Sequence, residues 1–286
     1  MRTVPPGQKT DPSMLIAQIS DLHIKLPGEL AYGRADTAAA LRNCVAEILA
    51  LPQQPDLVLI SGDLTDAGRP AEYGHLIDLL APLDLPVLAI PGNHDEREAM
   101  RAAFSGHGFL PEAGFLHVVH DDPADPLRVI GLDTVVPGQS GGRLCAERLE
   151  WLEDRLAEAP DRPTLVALHH PPFRTGIAHM DAIGLDGADA FAALISRFAN
   201  VELVTCGHVH RMVRASVGGR PTLICPGPAH IVDLDLAEAA PATFSMEPPA
   251  FLLHWWNEGA LVTHMVPIGA FDGPYPFFGG DGRLLL

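Results

Sequence analysis

Short apolar runs alternate along the chain with longer segments whose apolar positions recur every three or four residues. The runs MLIAQIS (14–20), DLVLIS (56–61), PVLAI (86–90), LRVIGLD (127–133), TLVALH (164–169) and VELVTC (201–206) predict strands. They are apolar at successive positions and rich in β-branched residues, the pattern of strands buried on both faces. Between them, 34–51, 70–83, 95–104, 145–159 and 187–199 predict helices. In the first, Leu41, Val45, Ile48 and Leu49 share a face. Pro70 suits the first turn of the second, and acids suit the first turn of the third. Strand–helix alternation of this kind predicts an α/β fold with much parallel pairing.

After His210 the rhythm changes. VRASVGGRPTLIC predicts a hairpin around Gly218-Gly219, and FLLHWWNEGALVTHMVPI (251–268) a second one turning at Asn257-Glu258-Gly259. The Pro- and Ala-rich stretch 226–249 is expected to form an extended arm, with oligomerisation as its use. Residues 1–13 are expected as a flexible tail, 14–270 as one domain with a β-rich C-terminal part, and 271–286 as a peripheral tail or oligomer contact. No apolar run approaches the roughly 20 residues that span a bilayer, and 1–13 holds no apolar signal segment. A cytoplasmic protein is the expectation.

The polar residues that end these strands change the picture. Asp21 and His23 follow the first strand in SDLHI; Asp63 and Asp66 follow the second in SGDLTD. Asn93, His94 and Asp95 follow the third in PGNHDE. His169 and His170 follow a later strand in LHHPP, and His208 and His210 the last in CGHVH. In open α/β sheets ligands bind beyond the carboxyl ends of strands. Five strand ends would therefore deliver Asp, His and Asn to one edge. Any one of these short motifs, alone, is usually a turn or a satisfied polar residue; their joint occurrence is what carries the reading.

Carboxylate, imidazole and amide donors without cysteine suit a divalent or trivalent cation such as Mn, Fe, Co or Zn. The supply exceeds one tetrahedral site. Two cations about 3.5–4 Å apart, sharing a carboxylate, would use the whole set, with Asp63 as the bridge. Asp21 and Asp63 would offset two of the four charges of a divalent pair, and a bridging hydroxide a third. A neutral Asn93 then leaves one positive charge to attract a phosphate anion. His94 becomes a residue facing substrate, able to hydrogen-bond a phosphoryl oxygen or protonate a leaving oxygen. Asp95 would open the next helix or orient His94.

Composition adds limits. The chain has 286 residues, 47% hydrophobic and 19% charged, with a formal net charge of -17. Such a balance argues against a nucleic-acid backbone or an anionic membrane surface as partner. A small phosphate-bearing substrate is compatible, since bound cations override the global field. The four cysteines (Cys44, Cys145, Cys206 and Cys225) are scattered and suit buried thiols in a reducing compartment. Fourteen histidines, several clustered, fit metal chemistry.

DLH, GDLTD, GNHD, HHPP and GHVH, in that order and spacing, resemble the calcineurin-like metallophosphoesterase superfamily. ELAYGRADT (29–37), GRPAEY (68–73), LDTVVPGQSGG (132–142) and MDAIGL (180–185) resemble its bacterial class III cyclic-nucleotide phosphodiesterases and the similar glycerophosphodiesterases. The resemblance covers most of Leu15 to Ile268. It implies a four-layer α/β/β/α sandwich with two mixed β-sheets. It also implies that Asp21, His23, Asp63 and His210 hold one metal, and Asp63, Asn93, His169 and His208 the other. His169 is taken over His170 because it lies two positions before the Pro. His170 is then left as a supporting or substrate-facing residue. Asp66 stands where purple acid phosphatases carry a Tyr, so a tyrosinate-bound ferric ion is not expected; a structural use of Asp66, capping the turn before Gly68, is. The resemblance further implies a homodimer or higher homo-oligomer.

The reading is a dinuclear metal-dependent phosphodiesterase. A metal-bridging hydroxide would attack small phosphodiesters such as 3′,5′-cyclic nucleotides or glycerophosphodiesters, with His94, Asn93 and Asp63 as the catalytic set. A broad phosphomonoesterase or protein phosphatase, and a metal-bound scaffold without catalysis, are the alternatives. His179, in the loop after HHPPF, is expected to join His94 and His170 at the substrate. Trp255 and Trp256, adjacent in a strand, face opposite ways, so at most one could reach a ligand.

Overall fold

The computed structural model describes residues 13–285; most of the expected tail 1–13 lies outside them. The first part comprises β1 (Met14–Ile19), α1 (Thr37–Ala50), β2 (Leu57–Ser61), α2 (Pro70–Leu80), β3 (Val87–Ile90) and α3 (Arg97–Ala103). The second comprises β4 (Val118–His120), β5 (Arg128–Leu132), β6 (Gly142–Arg143), α4 (Ala146–Glu158), β7 (Thr164–Leu168), α5 (Ala178–Asp181), β8 (Leu185–Asp186), α6 (Ala188–Ile195) and β9 (Val201–Cys206). Six strands follow: β10 (Val213–Val217), β11 (Arg220–Ile224), β12 (Ile231–Val232), β13 (Phe244–Ser245), β14 (Ala250–Asn257) and β15 (Ala260–Pro267).

Two mixed sheets form, as expected. One has the order β15-β14-β1-β2-β3, the other β10-β11-β9-β7-β5-β4. The strands between helices pair in parallel, and the hairpin strands add antiparallel edges. The second hairpin does more than extend an edge. β14 lies antiparallel to β1, so the far end of the chain completes the sheet that the first strand begins.

Strand alternation assigns the layers. Ala17 and Ile19 of β1 face the core under α1–α3; Met14 and Ile16 face the core between the sheets. Ile130, Val166 and Val204 face the core under α4 and α6. Three apolar cores separate four layers, helix on sheet on sheet on helix. α3 starts at Arg97 rather than Asp95, because Glu96 caps it by accepting a 2.8 Å bond from Ala99 N.

Residues 226–249, expected as an extended arm, fold back on themselves: β12 pairs with β13 in a two-stranded ribbon. The segment 271–285 leaves Phe271, Tyr275, Phe277 and Phe278 exposed. Among the described residues no helix is long and apolar enough to cross a membrane.

Candidate metal centre

The chain turns sharply at each strand end. Asp21, His23, Asp63, His208 and His210 all have φ between 44° and 73°. This left-handed region costs about 1–2 kcal/mol per ordinary residue, and Asp and His are among the side chains that enter it most readily. Only Tyr32 and Glu258 join them among the described non-glycine residues. Strain concentrated in this way marks a site that the rest of the fold holds in place. Backbone bonds fix the turns against each other: Asp21 N donates to Gly62 O and His23 N to Asp63 O, both at 3.0 Å. Glycines leave room behind them. A Cβ on Gly92 would stand 2.2 Å from Asp63 Oδ1, and one on Gly62 would stand 2.3 Å from His169 Nδ1. This is why Pro-Gly precedes Asn93: the backbone passes directly behind the Asp63 carboxylate.

The seven candidate ligands meet. Asp63 Oδ2 lies 3.6 Å from His23 Nε2 and 3.3 Å from His169 Nε2. His23 Nε2 lies 3.2 Å from His210 Nε2, whose distance to Asp21 Oδ1 is 3.6 Å. On the other side, His169 Nε2 lies 3.2 Å from Asn93 Oδ1. The remaining ring nitrogens are tied to carbonyls: His169 Nδ1 donates to Ser61 O (2.9 Å), His208 Nε2 to Ile183 O (3.1 Å) and His210 Nδ1 to His230 O (3.2 Å). These bonds fix the tautomers and leave the opposite nitrogens free as donors to a cation. β1, β2 and β3 deliver Asp21, His23, Asp63 and Asn93; β7 and β9 of the other sheet deliver His169, His208 and His210.

Several neighbours hold this rim. Asp95 neither opens α3 nor touches the His94 side chain. Its carboxylate accepts bonds from Leu64 N, Thr65 N, Gly92 N and the Tyr73 hydroxyl, stapling the Asp63 turn to the Asn93 turn. Asp66 does not cap the turn before Gly68, where Thr65 Oγ1 does so. Asp66 pairs with Lys25 at 2.6 Å, stands 3.6 Å from His23 Nδ1, and accepts on its carbonyl a 2.7 Å bond from His94 Nδ1. That last bond leaves His94 Nε2 free, and His94 lines the cleft above the rim. His170 is buried behind the rim: Thr134 Oγ1 bonds its Nδ1 at 2.8 Å, and Nε2 donates to Ser140 O at 3.1 Å.

The cleft has a volume of about 240 Å³. His179, on α5, lines it, as do Met180 and Ile183. The opposite wall comes from residues with no motif around them in the sequence. His230 is buried, and its ring packs on His210, Tyr32 and Phe244 at 4.4, 5.2 and 5.4 Å between centroids. Val232 and Phe244 of the β12–β13 ribbon also face the cleft, so the 226–249 segment builds part of the site. Among the described residues no Lys or Arg lines it.

The donor set fits cations. Asp21 and Asp63 are buried, and among the described residues no Lys or Arg stands against them. Burial, then the Asp63 charge, push the Asp21 carboxyl up to about 6 against the pull of His169 and His23. Burial opposes a proton on His169, yet Asp63 outweighs it and pushes its pKa up to about 9. Burial pushes His210 down to about 3, with His23 adding to the effect. Two carboxylates that draw protons onto buried imidazoles, beside imidazoles that stay neutral, are groups that divalent ions would satisfy together. Asp21, His23 and Asp63 offer ligand atoms within 4.8 Å of one another, and so do His169, His170 and His208.

The sequence profile of the calcineurin-like phosphoesterases matches residues 14–212. The chain is 42% identical over 274 residues to a probable glycerophosphodiester phosphodiesterase of Arcobacter nitrofigilis, covering 95% of this chain and 100% of that one. It is 30% identical over 211 residues to the 3′,5′-cyclic adenosine monophosphate phosphodiesterase of Escherichia coli K12, covering 74% of each. A dimetal phosphatase from Danio rerio superposes with a TM-score of 0.66 at 15% identity, covering 91% of this chain and 98% of that one. The chain belongs to the calcineurin-like phosphoesterase family. It is a hydrolytic enzyme with that family's fold.

Proposed function

We propose that the protein is a dinuclear metal-dependent phosphodiesterase acting on small phosphodiesters, with glycerophosphodiesters and 3′,5′-cyclic nucleotides as the candidate substrates. The observation that carries the site is Asp63 Oδ2, which stands between His23 Nε2 and His169 Nε2 at 3.6 and 3.3 Å. Asp21, His23, Asp63 and His210 would hold one cation; Asp63, Asn93, His169 and His208 the other, with Mn, Fe, Co or Zn as the fitting metals. When bound, the pair lowers the pKa of water and neutralises charge developing on phosphoryl oxygens.

The chain's own residues do the rest. His94 presents Nε2 to the cleft because Asp66 O holds its other nitrogen. It hydrogen-bonds a phosphoryl oxygen and hands a proton to the leaving oxygen. Asn93 supplies an oxygen without adding negative charge, so the centre keeps its attraction for phosphate. His170, bonded on both nitrogens, supports the loop carrying Ser140 rather than touching substrate. His179 sits where a substituent of the diester would lie. With no Lys or Arg among the described residues of the walls, a diester monoanion is neutralised better than a monoester dianion. Relatives named for glycerophosphodiesters and for cyclic adenosine monophosphate support the diester class.

The deciding measurement is the rate of Mn-, Co-, Fe- and Zn-loaded protein on bis(p-nitrophenyl) phosphate against p-nitrophenyl phosphate. Preference for the diester is expected. A strong preference for the monoester would favour a phosphomonoesterase instead. A panel of cyclic AMP, cyclic GMP and glycerophosphoethanolamine then ranks the natural classes.

The exposed aromatics of 271–285 and the open edge at β15 suit self-association into a dimer or larger homo-oligomer, which sedimentation would measure. Four unpaired cysteines, three of them buried, suit a reducing compartment such as the cytoplasm.

A further inference from the structure

The core between the two sheets is apolar at one end and polar at the other. Along β1 the inward positions read Met14, Ile16, Gln18; along β2, Leu57, Leu59, Ser61; along β9, Leu203, Thr205; along β14, Leu252, then His254, then Trp256. Gln18, Ser61, Thr205 and His254 are each 0% exposed. They meet one layer beneath the metal rim. Thr205 Oγ1 donates to Gln18 Oε1 at 2.6 Å, and His254 Nε2 donates to the same oxygen at 2.9 Å. Gln18 Nε2 donates to Ser61 Oγ at 2.8 Å. His254 Nδ1 is in turn bonded to Thr263 Oγ1 at 2.8 Å. The Gln18 acceptor is fully used, and its amide has a short partner, so the network is satisfied.

Its placement has a consequence for the site. Gln18, Ser61 and His254 belong to the five-stranded sheet, whereas Thr205 belongs to the six-stranded one. The candidate ligands divide in the same way. Apolar faces slide over each other by small amounts at little cost, while metal–ligand distances tolerate errors of only about 0.2 Å. A short hydrogen bond across the sheets resists that sliding. It also feeds directly into the rim: the Ser61 carbonyl accepts from His169 Nδ1 at 2.9 Å, and Thr205 lies three residues before His208. Apolar residues would fill this layer more simply, since buried polar groups are neutral or costly for stability unless they specify geometry.

We propose that the buried Gln18–Thr205 contact, anchored by Ser61 and His254, is a positioning device that fixes the two sheets against each other so that ligands from both close on one pair of cations. This rests on the dinuclear reading above.

The test uses the full chain with Mn(II) added stepwise and followed by electron paramagnetic resonance, with no substrate present. Wild type should give an exchange-coupled pair signal at two equivalents. Thr205→Val, which removes the hydroxyl at nearly constant volume, should keep its melting transition. It should bind the second Mn about tenfold more weakly, in line with losses on removing outer-shell partners, and retain uncoupled Mn signal. Thr205→Ser should restore the pair. Thr205→Ala removes the same hydroxyl and leaves Gln18 bonded to Ser61 and His254, so it is the second variant if Thr205→Val melts early; it should show the same loosened pair. Unchanged second-site affinity and coupling in the folded Val or Ala variant would overturn the positioning role. A lowered melting temperature with an intact coupled pair would overturn it too, since that is the mark of a merely structural contact. A wild type that never shows a coupled pair would overturn the dinuclear reading itself, and this proposal with it.

Discussion

The rim and the walls of the cleft are built differently. The rim is made of strand ends: five turns whose candidate ligands stand one to four residues beyond a strand, five of the seven at positive φ and all of them near buried strands. The walls are made of a short helix at 178–181, the loop holding Tyr32, and the β12–β13 ribbon. The rim residues cannot move without moving a sheet. The wall residues sit on short elements with few backbone bonds of their own, the part of a fold that varies most freely. On the proposed reading, chemistry would sit on the rigid half and substrate choice on the adaptable half.

Substitutions on the rim should therefore act on metal content and rate together, and those on the wall on substrate affinity alone. Asp63→Ala should have the largest effect. It removes the shared oxygen between His23 and His169, so stoichiometry should fall below two and kcat by about a thousandfold or more, since metal catalysis supplies several kcal/mol. Metal analysis beside kinetics checks this; full activity with two bound ions would remove Asp63 from the bridge. His94→Ala comes next and separates metal from proton chemistry. Stoichiometry should stay at two while kcat falls about 10²–10⁴-fold on a diester with an alkoxide leaving group. The fall should be smaller on a p-nitrophenyl diester, whose leaving oxygen needs no proton. Equal losses on both substrates would show that His94 only binds.

The same division decides what the sequence could reveal. Rim residues lie beside strands, and a strand ending in Asp, Asn or His is a local pattern. The boundaries of β1, β2, β7 and β9 fall within a residue or two of the apolar runs for the same reason. His230, Tyr32 and Phe244 reach the cleft only through tertiary folding, and nothing within a few residues of them announces it. Their one signal is indirect: Tyr32 lies within ELAYGRADT, and Pro-Gly-Pro stands just before Ala229 and His230. Asp66 and Asp95 sit inside legible motifs, yet Lys25 lies 41 residues from Asp66, and Leu64 and Tyr73 lie 31 and 22 residues from Asp95, so only the structure assigns their work. Gln18 was hidden for the opposite reason. One amide within an apolar strand reads as an exception, until alternation places it on the inward face beside Thr205.

On the wall side, Phe244→Ala should sharpen the comparison. Phe244 packs beside His230 and Tyr32 on the face of the cleft that would meet a nucleobase. Losing an aromatic platform costs about 1–3 kcal/mol per stacked base. KM for a cyclic nucleotide should rise about tenfold, with kcat and metal stoichiometry unchanged. KM for glycerophosphoethanolamine, which has no ring to stack, should change little. A parallel rise for both substrates would mean that the ribbon shapes the whole cleft; a fall in kcat would place it on the rim side of the division.

The smallest effect should come from the staple beneath the rim. Tyr73→Phe removes the hydroxyl that donates to Asp95 Oδ1 at 2.8 Å. Tyr73 and Asp95 are both buried, and Asp95 keeps its backbone donors Leu64, Thr65 and Gly92. Those three bonds and the one from Thr65 Oγ1 still hold the carboxylate, so the two turns should stay joined. The expected loss is about 1.5–3 kcal/mol of stability, the worth of one hydrogen bond to a charged group, read as a lower denaturant midpoint with unchanged slope. Metal stoichiometry and kcat should remain as in wild type. If they fall as well, Asp95 depends on Tyr73 for its orientation, and the rigid half of the cleft extends down into α2.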